Sequence, residues 1–216
     1  MKTEQSSSLN RRGRIVSVEG IDAVGKSTQS LLLETWFKDH GLRVTSLSFP
    51  DYDTPIGVEI KAFLEGRREF GPEVRHMLFA ANRWEKVSLI RRSQLENEVI
   101  IVNRYTESNL VYGVANGLRL GWLAALEKGI PKSDLVLVLD APSKGLVSRR
   151  PGPKDSYERD FELQARVRTL YKELALKFGW MTIDGSKSVG GVHDSVVKAV
   201  KDNLDLRMRE GWIDGP

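Results

Sequence analysis

The clearest chemical pattern in the sequence is the run Gly20-Ile21-Asp22-Ala23-Val24-Gly25-Lys26-Ser27. Its spacing matches G-x-x-x-x-G-K-[ST], the pattern of the phosphate-binding P-loop. In such a loop the glycines let backbone N–H groups face an anion, and the N-terminus of the following helix adds partial positive charge. The lysine reaches the β- and γ-phosphates of a nucleoside triphosphate, and the serine hydroxyl ligates Mg²⁺. The residues expected to bind the triphosphate are Gly20, Ala23, Val24, Gly25, Lys26, Ser27 and Thr28.

A P-loop joins a strand to a helix, and the surrounding sequence supplies both elements. Short runs rich in β-branched residues predict strands at 15–19, 44–49, 99–103, 135–140 and 181–184. Longer amphipathic stretches predict helices at 27–40, 72–96, 119–128, 161–178 and 192–208. Residues 113–121 contain three glycines and predict a loop between helices. This alternation of strands and helices indicates a parallel sheet that is covered by helices on both faces.

The alternating pattern runs from residue 14 to residue 208 without a linker or an internal repeat, which predicts a single domain. Residues 1–13 are rich in serine and are predicted to form a disordered leader. Residues 209–216 show no clear pattern and are predicted to be a C-terminal tail. Within the domain, residues 149–157 combine turn formers with cations, which predicts a mobile lid.

Composition excludes several classes of protein. The 216 residues include no cysteine, which excludes a disulfide framework, a thiolate metal site and a cysteine nucleophile. The formal charge is +4, but most of it lies in residues 1–14, which hold four cations and one acid. Nucleic acid is therefore not predicted as a partner. No apolar run approaches the roughly 18 residues of a membrane span, and the chain starts without an apolar signal segment, so we expect a cytoplasmic protein.

Six sequence blocks resemble the thymidylate (dTMP) kinase family, and they occur in the order of that family. The blocks are E-G-I-D with G-K-S-T at 19–28, F-P at 49–50, L-F-A-A-N-R-W-E at 78–85, N-R-Y at 103–105, P-K-S-D-L at 131–135, and Y-E at 157–158 with V-R at 167–168. One such block alone would be weak evidence for the family. Six blocks in register are strong evidence, and they span nearly the whole predicted domain.

The resemblance implies a reaction, a fold and an assembly. The reaction is transfer of the γ-phosphoryl group of ATP to dTMP, with Mg²⁺ as cofactor, to give dTDP and ADP. The fold is the three-layer α/β/α P-loop NTPase fold, with a five-stranded parallel sheet in the order 2-3-1-4-5 and a mobile lid. The assembly is a homodimer in which two subunits pack through helices.

The resemblance also implies an acceptor site. Phe79 is expected to stack on thymine and Arg83 to bond its carbonyl edge, which agrees with their spacing on one helical face. Taken alone, the same spacing fits a core Phe79 beside an Arg83 that extends to solvent. The implied dTMP-binding residues are Asp22, Phe49, Tyr52, Phe79, Arg83, Arg104, Asn109, Tyr112 and Tyr157.

Four of these residues have more specific implied roles. Arg104 follows the predicted strand 99–103, where ligands gather in such sheets, and is assigned to the acceptor phosphate; a solvated arginine is the alternative. Asn109 is expected to meet N3–H of thymine and its neighbouring carbonyl. Tyr112 is expected to lie against the sugar and to disfavour a 2′-hydroxyl. Asp22 is expected to accept a hydrogen bond from the 3′-hydroxyl.

Three positions depart from the family pattern. Asn103 occupies the place of the usual aspartate in D-R-Y, which removes a charge near Mg²⁺ and Lys26. Tyr52 replaces an arginine found in many members, and Ala23 replaces a P-loop arginine found in some. Members without that P-loop arginine tend to supply cations from the lid. The implied catalytic residues are therefore Lys26, Arg104, Arg149 and Arg150.

Two alternatives stay open at the level of the sequence. A kinase for another acceptor, such as dUMP or a deoxynucleoside, would use the same P-loop. A catalytically weak nucleotide-binding protein is compatible with Asn103. A GTPase is disfavoured because the sequence contains no N/T-K-x-D tetrapeptide for reading guanine.

Overall fold

The computed structural model describes residues 12–142, 157 and 160–206. Five strands form one sheet, with bounds β1 (Arg14–Gly20), β2 (Val44–Ser48), β3 (Val99–Asn103), β4 (Leu135–Asp140) and β5 (Met181–Asp184). The strands lie in the order β2-β3-β1-β4-β5, and every neighbouring pair is parallel. This confirms the predicted sheet and its strand order.

Eight helices accompany the sheet within the described residues. They are α1 (Lys26–Asp39), α2 (Pro55–Leu64), α3 (Pro72–Glu85), α4 (Val87–Glu96), α5 (Thr106–Ala115), α6 (Leu120–Leu126), α7 (Phe161–Phe178) and α8 (Val189–Asn203). Helices α1 and α8 contact each other and the sheet, and α5 contacts α7. None of the helices in these ranges is long and apolar enough to cross a membrane.

The interior strand β3 shows why the sheet needs helices on both sides. Its residues Ile100 and Val102 belong to one hydrophobic cluster together with Ile90 of α4. The alternate residues, including Ile101, belong to a larger cluster that contains Phe37 of α1. Because successive side chains of a strand point to opposite faces, both faces of β3 are buried. The continuous apolar runs in the sequence follow from this arrangement.

Two sequence predictions of the helical regions were wrong. The predicted helix 72–96 is two helices, because the backbone at Lys86 leaves the helical region. Helix α3 then packs against α2 and α5, whereas α4 packs on β3. The predicted loop 113–121 is also shorter, because Gly113 lies inside α5. A Cβ atom at Gly113 would come within 2.5 Å of the Leu123 side chain. The absence of a side chain at Gly113 therefore allows α5 and α6 to pack closely.

Several predicted segments lie largely outside the described residues. These are the leader at 1–13, the lid at 149–157 and the tail at 209–216. From the leader, Arg12 and Gly13 are described, and the Gly13 amide donates to the carbonyl oxygen of Gln94 at 2.6 Å. From the lid, only Tyr157 is described.

Candidate active site

The phosphate-binding loop links β1 to α1 through unusual backbone angles. Gly20 has a φ of 134°, and a Cβ atom there would lie 2.4 Å from the carbonyl oxygen of Leu139. Ala23 and Gly25 also have positive φ values, of 61° and 106°. Such angles favour glycine and are strained for alanine. The loop therefore curls tightly at the carboxyl edge of the sheet, where ligands bind in folds of this type.

The start of α1 is arranged to receive an anion. Among the described residues no side chain caps this helix, and its first turn contains no acidic residue. The partial positive charge of the helix N-terminus is therefore not offset locally. Lys26 is buried, and its Nζ donates to the carbonyl oxygens of Gly20 at 3.1 Å and Ile21 at 2.8 Å. Val24 is buried beneath the loop, whereas Ser27 and Thr28 are exposed.

The Ser27 hydroxyl and the side-chain amide of Asn103 are the protein groups that could hold a magnesium ion beside the P-loop. Asn103 ends β3, and its Nδ2 donates to the Ser27 hydroxyl at 3.3 Å. Its buried Oδ1 has no hydrogen-bond partner among the described residues. In the same ranges no group of three acidic, histidine or cysteine side chains could hold a metal. This donor set suits Mg²⁺, which takes oxygen ligands and is commonly held by one or two protein groups, substrate phosphates and water.

Beside the loop lies a cavity that, together with the solvent space at its mouth, encloses about 550 Å³. It is formed where the carboxyl ends of β1, β2 and β3 meet α3 and α5, as the register of Ser48 with Asn103 and of Asn103 with Val18 requires. The structure brings every residue predicted for the acceptor site to this cavity. The lining includes Asp22, Phe49, Tyr52, Phe79, Arg83, Arg104, Asn109, Tyr112 and Tyr157.

Aromatic rings form one wall of the cavity. The rings of Tyr112 and Tyr157 are stacked, with centroids 5.7 Å apart and an angle of 11° between the planes. Phe79 lies 6.4 Å from Tyr157, centroid to centroid. Two residues contribute from the segment after β2: Phe49 is buried, and Tyr52 is 40% exposed at the rim. The cavity is thus a slot whose walls suit a planar ring and a sugar.

Arg104 stands at the end of the cavity next to the P-loop. Its φ of 60° is rare for a residue with a side chain, and its amide donates to the carbonyl oxygen of Val18 at 3.2 Å. Its guanidinium pairs with the carboxylate of Asp22. Burial alone would raise the pKa of Asp22, but Arg104 and Lys26 outweigh burial and hold that pKa below its usual value. Both charges are therefore present at neutral pH at this end of the cavity.

The opposite end of the cavity holds a buried ion pair. The guanidinium of Arg83 pairs with Glu127, with Nε donating to Oε2 at 3.0 Å, and the two side chains are only 3% and 7% exposed. Nδ2 of Asn109 donates to Oε1 of the same glutamate at 2.7 Å. The Oδ1 of Asn109 is 2.7 Å from Nδ1 of His76. Arg83 is therefore not a solvated arginine, and it shares one acceptor with Asn109.

The sequence of this chain matches a family profile and several proteins of known function. A sequence profile described as thymidylate kinase matches residues 18–196. The chain belongs to the thymidylate kinase family. It is 32% identical over 194 residues to the thymidylate kinase of Dictyostelium discoideum, covering 89% of this chain and 87% of that protein. It is 31% identical over 188 residues to the Homo sapiens enzyme, covering 86% and 89%.

Two further comparisons agree with the family. The probable thymidylate kinase of Pyrococcus abyssi is 37% identical over 203 residues, with 89% of this chain and 98% of that protein covered. The solved structure of thymidylate kinase from Candida albicans superimposes with a TM-score of 0.78 at 28% identity. That match covers 89% of this chain and 92% of the other. The three-layer P-loop NTPase fold is therefore shared with a thymidylate kinase of known structure.

Sequence reasoning did not single out several residues that organise this thymidylate kinase site. Glu127 and His76, which hold Asn109 at the end of the cavity that contains Arg83, were not predicted. Gln164 donates to Asp22 at 3.1 Å and to the Tyr157 carbonyl oxygen at 3.0 Å. In the sequence Glu127 follows the last residue of α6 and precedes Lys128, so it resembles an ordinary surface charge and carries no signal of this role.

Asn82 is a positioning residue within the L-F-A-A-N-R-W-E block. Its Nδ2 donates to the Asp51 carbonyl oxygen at 3.0 Å and to the Thr54 hydroxyl at 2.7 Å, and its Oδ1 accepts from the Asp51 amide at 2.8 Å. These bonds fasten the segment after β2 to α3. Tyr52 is thereby held at the rim of the cavity.

Glu19, the last residue before the P-loop, joins the loop to two helices. Its carboxylate accepts from the Tyr105 amide at 2.7 Å, the Ser108 hydroxyl at 2.5 Å and the Tyr171 hydroxyl at 2.8 Å. Glu107 is buried nearby, and burial followed by the charge of Glu19 raises the pKa of Glu107 to about 7. The predicted catalytic residues Arg149 and Arg150 lie outside the described residues.

Proposed function

We propose that ATP and dTMP bind end to end at this edge of the sheet, with ATP on the P-loop and dTMP in the cavity. As a thymidylate kinase, the chain transfers the γ-phosphoryl group of ATP to dTMP and releases dTDP and ADP. The main support for this placement of the two substrates is the cavity itself. It adjoins the P-loop, has aromatic walls, and has a cation at each end.

The thymine ring is assigned to the end of the cavity that contains Arg83 and Asn109. Phe79 would stack on the ring, because a planar base gains most from an aromatic face. Arg83 has N–H groups beyond those that pair with Glu127, and these can donate to a thymine carbonyl. Oδ1 of Asn109 can accept from N3–H of the base.

The sugar is assigned to the middle of the cavity. Asp22, at the P-loop end of the cavity, keeps its charge and can accept a hydrogen bond from the 3′-hydroxyl of a sugar that lies beside it. The stacked rings of Tyr112 and Tyr157 leave a flat wall beside the ribose position. We assign to Tyr112 the discrimination against a 2′-hydroxyl.

The acceptor phosphate is assigned to Arg104, with the Tyr52 hydroxyl as a further donor at the rim. A phosphate monoester has its second pKa near about 6, so at neutral pH it is already a dianion and needs no general base to act as the nucleophile. Catalysis then consists of alignment and neutralisation of charge. Lys26 serves the transferred phosphoryl group, and we add Arg149 and Arg150 of the predicted lid as further cations.

Mg²⁺ is proposed as the cofactor, with Ser27 as its protein ligand and Asn103 beside it. When bound, the ion neutralises phosphate oxygens of ATP and holds them in one geometry. Asn103 keeps the shape of the usual aspartate without its charge, so this chain relies more on Lys26 and the arginines.

Homodimer formation is part of the proposal. Helix α3 carries Val74, Met77, Ala81 and Trp84 at helical spacing, and all four are exposed or partly exposed. Such an apolar stripe is a suitable contact for a second copy. Light scattering would test it. We also propose a cytoplasmic location, where ATP is supplied, and no nucleic-acid partner; cell fractionation and a DNA-binding assay test these two points.

The decisive test is a coupled ADP-release assay with ATP, Mg²⁺ and a panel of dTMP, dUMP, thymidine and AMP. We expect turnover that is fastest with dTMP and absent with thymidine, because the nucleoside lacks the phosphate that Arg104 holds. Faster turnover of dUMP or thymidine would support the alternative acceptor. Tight binding of dTMP without turnover would identify a catalytically weak nucleotide-binding protein.

A further inference from the structure

The base end of the cavity contains a chain of hydrogen bonds whose direction is fixed at its start. Nδ2 of Asn116 lies 2.8 Å from the Tyr112 carbonyl oxygen and 3.2 Å from Nε2 of His76. A backbone carbonyl can only accept, so the Asn116 atom must be the amide nitrogen. Its second hydrogen therefore points to Nε2 of His76. That ring nitrogen must act as an acceptor, and the ring proton must be on Nδ1.

The same direction continues from His76 to Asn109. Nδ1–H of His76 donates to Oδ1 of Asn109 across 2.7 Å. Burial lowers the pKa of His76 to about 4, so the ring is neutral at pH 7 and carries a single proton. One proton on Nδ1 requires an acceptor at Asn109, and this determines which atom of the Asn109 amide faces the histidine.

The amide nitrogen of Asn109 is fully used by protein acceptors. It donates to the His76 carbonyl oxygen at 3.2 Å and to Oε1 of Glu127 at 2.7 Å. Both amide hydrogens are thereby engaged. The only hydrogen-bonding capacity left on this side chain is one lone pair of Oδ1. Toward a ligand, Asn109 can only accept.

Glu127 fixes the two base-reading side chains together. Its carboxylate accepts from Asn109 and from Nε and Nη2 of Arg83, and it lies almost completely buried. An ionised carboxylate has no hydrogen to donate. A flipped amide of Asn109 would place Oδ1 against this carboxylate and Nδ2 against Nδ1–H of His76. Both contacts would be repulsive, because each would join two acceptors or two donors.

We propose that Glu127 is a positioning residue that sets the choice of base: it locks Asn109 as an acceptor and holds the Arg83 guanidinium, which can only donate, in place beside it. The proposal rests on the proposed placement of the acceptor base at this end of the cavity. Thymine and uracil present N3–H and a carbonyl, and they match this pair. Cytosine presents a bare N3 and an amino group, and it mismatches both positions. Glu127 thus acts on specificity without touching the substrate.

The test is the substitution Glu127→Gln, assayed with dTMP and dCMP. A glutamine can donate to Oδ1 of a flipped Asn109, so the substitution removes one of the two repulsive contacts of the flipped amide, while the contact with Nδ1–H of His76 remains. The flipped Asn109 that cytosine requires therefore becomes less costly. We expect the ratio of kcat/KM for dCMP to that for dTMP to rise by roughly tenfold or more. The rise should come mainly from KM for the two acceptors, with KM for ATP unchanged. Because both acceptors are measured on one preparation, this ratio does not depend on the fraction of folded enzyme.

Two matched variants distinguish fixation of the Asn109 amide by Glu127 from a general loss of stability. Glu127→Asp keeps an acceptor-only carboxylate and should restore the ratio toward the wild-type value. Asp134→Asn removes the carboxylate that pairs with Arg14 at the amino end of the sheet, where Asp134 also accepts from the Ile15 amide. It should lower thermal stability and leave the ratio unchanged. An unchanged ratio in Glu127→Gln, or an equal rise in Asp134→Asn, would overturn the proposal.

A measurement on the wild-type protein covers the case in which Glu127→Gln does not fold. Long-range ¹H–¹⁵N correlation of the histidine rings at pH 7 should show His76 as the neutral Nδ1–H tautomer. An Nε2–H tautomer would overturn the proposal, because Nδ1 would then require the amide nitrogen of Asn109. Failure of the proposed base placement is recognised separately, since a crystal structure of the wild-type protein with dTMP would then show the base away from Arg83 and Asn109.

Discussion

The P-loop and the base end of the cavity, the end with Arg83 and Asn109 that we propose binds the acceptor base, are built in different ways. The loop is one continuous segment between β1 and α1, and its shape comes from backbone angles at Gly20, Ala23 and Gly25. The base end is built by side chains from α3, α5 and the segment after α6, and the pair Arg83–Glu127 is separated by 44 positions in the chain. Backbone recognition is generic for phosphate, whereas a side-chain network can specify a base.

The two regions should therefore respond differently to substitution. In the loop, a change of charge affects the transfer step for every acceptor. At the base end, a change in hydrogen-bond direction affects the choice among acceptors. The Glu127 variants described above test the second statement, and the variants below test the first and the connection between the two regions.

The largest effect is expected from Lys26→Ala. Removal of the ammonium group withdraws charge stabilisation from the transferred phosphoryl group, so kcat should fall by roughly 10²- to 10³-fold or more with every acceptor. The ADP-release assay measures it, and circular dichroism checks the fold. Lys38→Ala is the matched control on the same helix, where Lys38 is exposed and pairs with Glu34. An unchanged kcat in Lys26→Ala would remove the P-loop from the mechanism.

A smaller loss is expected from Arg104→Ala, at the end of the cavity that faces the loop. The variant loses the guanidinium that we propose binds the acceptor phosphate, and it leaves Asp22 without its partner. We expect kcat/KM for dTMP to fall on the order of 10²-fold, with little change in KM for ATP. The exposed Arg92 of α4 provides the control Arg92→Ala. If KM for ATP rose as much as KM for dTMP, Arg104 would belong to the donor site.

Glu107→Gln tests the interaction between the buried carboxyl groups of Glu107 and Glu19, which directly precedes the P-loop. Because the pKa of Glu107 is raised in the folded state, the unfolded chain loses this proton first as pH rises. Stability contributed by the protonated group is therefore lost between about pH 4.5 and about pH 7. The variant should be more stable than wild type near about pH 8, by a few kcal/mol at most, with little gain near about pH 5.

Urea unfolding at the two pH values measures this difference. Glu173→Gln, at an exposed position of α7, is the matched control and should show no such dependence. An equal effect of Glu107→Gln at both pH values would mean that Glu107 is charged in the folded protein throughout this range.

The smallest effect is expected from Asn103→Asp. The added charge lies beside Ser27 and should lower the Mg²⁺ concentration needed for half-maximal activity about a few-fold. Activity at saturating Mg²⁺ should be maintained or raised. Asn97→Asp adds the same charge beyond the other end of β3 and is the control. A large loss of activity in Asn103→Asp alone would show that the site is built around the amide.

The contrast between the two regions also explains what could be predicted from the sequence. The P-loop is one continuous segment, so its residues and their chemistry could be predicted from eight consecutive positions of the sequence. The sheet order followed from the family resemblance and is confirmed by the pairing of β1 with β3 and β4. Phe79 and Arg83 were legible as neighbours because helical spacing places them on one face of α3.

The remaining features depend on contacts between distant segments. The break at Lys86 leaves the amphipathic period intact on both sides, so periodicity merged α3 and α4. Gly113 resembles a loop residue until Leu123 of α6 is placed against it. Glu127 acquires its role only when Arg83 and Asn109 are brought to it from two other helices.

The central claim is that dTMP lies in the cavity with its base beside Arg83 and Asn109 and its phosphate toward the P-loop. A crystal structure of the protein with dTMP tests this most directly. We expect the thymine ring against Phe79, its N3 within hydrogen-bond distance of Asn109 Oδ1, and the phosphate on Arg104. A phosphate bound at Arg83, or dTMP located outside this cavity, would contradict the account.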